Sequence, residues 1–163
     1  NRLLNRDTGT PDFLSVLDEG ILTLRLNRPE ARNAMSDPML GAMESELAFA
    51  ESSPEVRCVV LQGNGRAFCA GGDVKAMSET PVAPSSIEDR IRYQRAIQRA
   101  TSGQLVAMTK PTLAVINGPA AGAGFALALA CDLRIMARPA FFCRHLHRWA
   151  FPATSVSAGC LPG

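Results

Sequence analysis

Two glycine-rich segments constrain this chain more than any other feature. Residues 67–73 read Ala-Phe-Cys-Ala-Gly-Gly-Asp, and residues 117–124 read Asn-Gly-Pro-Ala-Ala-Gly-Ala-Gly. Each lies between a strand-like apolar run and a stretch of helical spacing. A joint of that kind, repeated, belongs to folds in which strands and helices alternate. The remaining pattern agrees. Residues 13–17 and 21–26 read as a hairpin around Asp18-Glu19-Gly20. Ser36-Asp37-Pro38 opens a helix that turns Met39, Met43, Leu47 and Ala50 inward. A buried strand is expected over 56–61, a short strand from 67, and a helical turn over 74–78 with Asp73 as its N-cap. A Pro/Ser-rich loop at 80–86 leads into an amphipathic helix over 87–108, with Ile87, Ile91, Ile97 and Leu105 inward. Strands at 112–117 and 133–137 flank a helix over 125–130. The order is that of a single α/β domain.

Composition narrows the function classes. Apolar residues make up 47% of the 163-residue chain and charged residues 20%, which excludes global disorder. A net charge of +2 leaves no footprint for nucleic acid. Arg90, Arg92, Arg95 and Arg99, interleaved with Glu88 and Asp89, read as one solvated helix face. The uncharged run over 119–131 is too short to span a bilayer, so no membrane partner is expected. Five cysteines are an odd number, and residues 1–6 contain no apolar segment of signal-peptide type. Both observations point to a reducing, cytoplasmic setting.

At a strand-to-helix joint, small residues let a ligand touch the backbone, and the first N–H groups of the helix face outward. Two such segments meeting at one point would form an oxyanion hole, suited to a thioester carbonyl that becomes an enolate or tetrahedral oxyanion. Close helix–strand packing without a ligand is the competing reading. Nucleotide motifs fail on spacing. The P-loop pattern is absent, and Leu127 stands where the dinucleotide fingerprint counted from Gly122 and Gly124 needs glycine.

The string Leu-Asn-Arg-Pro-Glu-Ala-Arg-Asn-Ala over residues 26–34, the segment 67–73, and residues 110–118 through Cys131-Asp132-Leu133-Arg134 resemble the crotonase superfamily, that is, the enoyl-CoA hydratase/isomerase family. The resemblance covers roughly residues 13–137, with the motifs in family order. It implies a crotonase-like spiral of ββα units, acyl-CoA substrates, no metal or redox cofactor, and assembly into homotrimers or hexamers. By position it makes Gly72 and Ala123 the two oxyanion N–H donors. Backbone around Ala31, Arg32 and Ala34, with Ala70, Asp73 and Val74, would hold the adenine and pantetheine parts of coenzyme A.

The chain also departs from the family. Hydratases of this family carry one catalytic Glu where this chain has Ala126, and the second would fall near Leu146. No Asp or Glu follows Asp132. Hydration needs one carboxylate to activate water and an acid to deliver the proton, so efficient hydratase activity is not expected. A catalytically inactive family member is the alternative, and a non-enzymatic interaction domain a third reading. Residues 1–137 form the expected acyl-CoA-binding core. On this reading residues 138–163 are expected to fall outside the resemblance, as an aberrant tail in place of the family's C-terminal helical part. Cys143, His145, His147 and Cys160 lack standard zinc spacing, and nothing positions Ser155 or Ser157 for a triad. Read from the third base of the Trp149 codon, the degenerate positions permit the string GISGDFGVSWLLTG, which resembles the family's next segment. A frameshift is therefore expected to have replaced the native C-terminal part. Residues 138–163 should then be weakly ordered, be cut fast by proteases and make no fixed contact with the oxyanion hole.

Overall fold

A computed structural model describes residues 3–73 and 86–143. Its centre is a six-stranded sheet in the order β1 (Leu4–Arg6), β2 (Phe13–Asp18), β3 (Ile21–Leu26), β4 (Cys58–Gly63), β5 (Thr112–Ile116), β7 (Leu133–Met136). The first three strands are antiparallel neighbours. From β3 onward every pairing is parallel, and each parallel step requires a crossover. Helix α1 (Asp37–Ser52) makes the first crossover. The second runs through α2 (Ile87–Gln98), a π-helical turn (Arg99–Gly103) and α3 (Gln104–Ala107). The third is α4 (Ala123–Ala130). A small parallel pair, β6 (Ala120–Ala121) with β8 (Phe142–Cys143), completes the fold.

The hairpin and α1 follow the sequence reading closely. Glu19 and Gly20 take positive φ at the β2–β3 turn. Ser36 caps α1 by accepting the Met39 N–H, and Pro38 sits in the first turn, where its missing N–H costs nothing. Met39, Met43, Leu47 and Ala50 are buried against Leu22, Leu24 and Leu26. In β4 the burial alternates: Val59 and Leu61 are buried while Cys58 and Val60 are half-buried, so one face of the strand lies in the core rather than both.

The long helix expected over 87–108 is interrupted. The wide turn at Arg99–Gly103 adds one residue to the helical repeat, so the faces on its two sides no longer line up. Leu105 is buried, but Ile87 and Ile91 are exposed and Ile97 is half-buried. The solvated arginine face is present at Arg92, Arg95 and Arg99. At the sheet edge, β7 is exposed along its length, with Leu133 and Ile135 standing open to solvent. The expected helical turn over 74–78 and most of the 80–86 loop lie outside the described residues, as do residues 144–163.

Of residues 138–163 six are described, and two of them pack beside the second glycine-rich segment. The Ala120 N–H donates to Phe141 O at 3.0 Å, and the Phe142 ring lies 4.5 Å from that of Phe125. An extended segment needs only an open edge and an apolar seat, and β6 and Phe125 supply both.

Strand β1, too short to be read from pattern, is held by side chains. Buried Glu46 accepts Arg6 Nε at 2.7 Å, Arg6 Nη2 at 3.1 Å and Ser15 Oγ at 2.6 Å, while the guanidinium lies over the Phe49 ring. Glu46→Ala strands these donors, and a loss of about 2–3 kcal/mol is expected in denaturant unfolding. A midpoint unchanged from wild type would contradict this.

Asp132 ties β7 back to β5. Its Oδ2 accepts the Thr112 N–H and hydroxyl, both at 2.8 Å. The backbone N–H first, and then the hydroxyl, hold this carboxyl below its ordinary value. Glu51 is likewise lowered, first by the Thr109 hydroxyl and then by its N–H. A lowered folded-state value contributes stability that is complete above the unfolded carboxylate range and is lost as pH falls through the folded values. Asp132→Asn should flatten the acid limb of the thermal midpoint against pH. An unaltered acid limb would show that the contact contributes nothing.

Candidate functional site

The site is assembled from three backbone segments. The first is the loop after β3, where Pro29–Ala31 make one 3-10 turn and both Arg32 and Asn33 take positive φ. The second is residues 69–73. They pair as Ala70 N–H to Arg32 O at 2.9 Å, Met35 N–H to Gly71 O at 2.8 Å, and Asp73 N–H to Met35 O at 3.3 Å. The Gly71 carbonyl therefore faces Met35. In a trans peptide the next N–H points the opposite way, so the Gly72 N–H is turned away from Met35. Gly71 itself has a φ of +96°, which an L side chain rarely adopts.

The third segment is residues 119–124. Cys69 N–H donates to Pro119 O at 3.3 Å, and Ala121 N–H donates to Cys69 O at 2.9 Å. A Cβ added to Gly71 would stand 3.0 Å from the Ala121 oxygen and 3.4 Å from the Ala123 nitrogen. Ala123 is the first residue of α4, and no side chain caps this helix, so its N–H belongs to the set without an intrahelical partner. The Gly71–Gly72 turn and the start of α4 thus meet with only small groups between them.

Two buried side chains that the sequence reading did not single out hold these segments in place. Asn33, completely buried, accepts the Arg28 N–H on Oδ1 at 2.9 Å. Its Nδ2 donates to the carbonyls of Asn64, Ala67 and Phe68 at 2.9, 2.9 and 3.2 Å. Cys69 donates its thiol to Asn33 O at 3.2 Å and accepts the Gly71 N–H at 3.4 Å. Burial pushes this thiol up to about 11, so it stays protonated at neutral pH and serves as a bracket rather than a nucleophile. The signal for Asn33 was its type: asparagine is the side chain that tolerates left-handed φ and can also satisfy several backbone groups.

The structure brings together Gly72, Ala123, Ala31, Arg32, Ala34, Ala70 and Asp73. Of these, Arg32, Ala70, Gly72 and Ala123 are exposed. The Asp73 carboxylate accepts Arg28 Nη1 at 2.8 Å. Val74 lies outside the described residues. Ala126 is exposed in the first turn of α4, three residues on from Ala123 and thus on the same face. Two grooves, of about 280 and 360 Å³, run along α1 and touch neither Gly72 nor Ala123. Among the described residues no group of three or more His, Cys, Asp or Glu could hold a metal, and no helix is long and apolar enough to cross a membrane.

The sequence profile described as enoyl-CoA hydratase/isomerase matches residues 17–156. The chain is 38% identical to the 1,2-epoxyphenylacetyl-CoA isomerase of Escherichia coli over 135 residues, covering 80% of this chain and 49% of that protein. It is 38% identical to the 4-chlorobenzoyl coenzyme A dehalogenase-1 of an Arthrobacter species over 125 residues, covering 76% and 44%. The crystal structure of an enoyl-CoA hydratase from Mycobacterium smegmatis superposes with a TM-score of 0.73 at 36% identity, over 82% of this chain and 50% of that one. The chain spans about half the length of the curated relatives it matches.

Proposed function

The chain belongs to the enoyl-CoA hydratase/isomerase family, and we propose that it binds acyl-CoA thioesters and polarises the thioester carbonyl between the N–H groups of Gly72 and Ala123. The observation that carries this reading is the approach of the Gly71–Gly72 turn to the uncapped start of α4. Donors held in place before the substrate arrives need no reorganisation as negative charge develops on the oxygen, and one such donor contributes about 10²–10³ in rate. The oxygen is stabilised by hydrogen bonds alone, so the proposed chemistry calls for neither a metal nor a redox cofactor. The coenzyme A part would lie along Ala31, Arg32, Ala34, Ala70, Asp73 and Val74. Arg32 is exposed there and offers a cation to the phosphates.

A second reading is favoured by Ala126. A methyl group in the first turn of α4 moves no proton. In this reading the chain polarises a bound thioester but does not hydrate it. Calorimetric titration with butyryl-CoA and with free coenzyme A tests the first reading. The thioester should bind more tightly, and equal affinity or no binding would overturn the proposal. Crotonyl-CoA separates the two readings: turnover at the uncatalysed rate with binding intact supports the second, and turnover well above it removes the second.

A further inference from the structure

We infer that Arg28 is a positioning residue, whose guanidinium straddles the Met35–Gly72 bridge and fixes the direction of the Gly72 N–H. The inference rests on the oxyanion role proposed for Gly72. One nitrogen, Arg28 Nη1, donates to Ala34 O at 2.8 Å and to Asp73 Oδ2 at 2.8 Å. Ala34 precedes Met35 and Asp73 follows Gly72, so a single cation grips the flank of both partners in the bridge. Arg28 Nε faces Asp12 Oδ2 at 3.6 Å, and the same oxygen accepts Ser36 Oγ at 2.5 Å. The cation is therefore set between two carboxylates, with one-fifth of its side chain accessible. Its own backbone N–H is held by Asn33.

The consequence follows from peptide geometry. Gly72 N–H is directed by the plane of the 71–72 peptide, and that plane is set by the Met35 N–H on Gly71 O. Glycines at 71 and 72 supply no side chain of their own to resist rotation. What holds Met35 against Gly72 is the pair of peptide hydrogen bonds and the Arg28 clamp across them. Lysine cannot replace the clamp fully, because an ammonium lacks the planar fork that serves a carbonyl and two carboxylates at once.

The test uses the full chain and cinnamoyl-CoA, whose ultraviolet band moves to longer wavelength when its carbonyl is polarised. Spectra are taken at saturating ligand, so that changes in affinity do not enter. Wild type should show the shift, Arg28→Lys part of it and Arg28→Gln none, with cooperative unfolding retained in both variants. Asp73→Asn, which keeps the shape and removes the charge, should lose it as well and serves if Arg28→Gln does not fold. A full shift in either Arg28→Gln or Asp73→Asn overturns the positioning role alone. A bound but unshifted ligand in wild type overturns the oxyanion reading and this inference with it.

Discussion

Gly124→Ala is expected to destabilise the chain by about 3 kcal/mol, the upper end of the usual overpacking cost, and to abolish thioester binding together with it. The added Cβ would lie 2.5 Å from the Cys69 Cβ and 2.8 Å from its Sγ, with the Cys69 carbonyl oxygen inside contact distance as well. The oxygen belongs to the backbone, the Cβ moves only with it, and the Sγ is buried and held by Asn33 O and the Gly71 N–H. Helix α4 would have to retreat from the Cys69 segment, which forms an isolated bridge to Ala120 in place of the short strand expected from residue 67, carrying the Ala123 N–H away from Gly72. Gly41→Ala is the control. It sits in α1 with nothing within 4 Å of its added Cβ, and replacing a helical glycine there should stabilise by about 0.5–1 kcal/mol. Urea unfolding of the two variants decides the matter. Similar midpoints for both would show that the joint between the Cys69 segment and α4 is looser than described.

Gly72→Pro should remove carbonyl polarisation and lower any rate that depends on it by about 10²–10³. Proline has no N–H to offer the thioester oxygen. Gly72 has no positive φ, so the substitution does not have to move the backbone out of the left-handed region. Gly72→Ala keeps the N–H and should keep polarisation. Calorimetry with butyryl-CoA separates loss of the donor from loss of the fold: the proline variant should bind free coenzyme A yet no longer prefer the thioester. A folded Gly72→Pro protein with wild-type thioester preference would remove Gly72 from the site.

Much of the fold was legible because its elements obey local rules. The β2–β3 hairpin carries its turn residues, α1 carries its Ser36 cap and Pro38, and the parallel strands alternate with helices in an order that leaves one class of fold. The parts that were not legible depend on distant partners. β1 has three residues and no usable period, and it is a strand because β2 and the Arg6–Glu46 pair hold it. The π-helical turn at Arg99–Gly103 leaves no mark on composition, yet it rotates Ile87 and Ile91 out of the core. β8 exists because β6 offers an edge. In the site, the glycines announced themselves by type and position, and the family resemblance assigned them roles. The groups that hold them did not, because the bonds of Arg28, Asn33 and Cys69 run to backbone atoms or to side chains remote in sequence.

The most direct measurement of the central claim is the infrared stretch of a carbon-13-labelled thioester carbonyl in butyryl-CoA bound to the chain. Two hydrogen bonds from Gly72 and Ala123 draw electron density onto the oxygen and weaken the C=O bond. The account predicts a bound band at lower frequency than in water, returning toward the free value in Gly72→Pro. A bound thioester whose carbonyl band matches that in water, or a lowered band unaffected by Gly72→Pro, would contradict it.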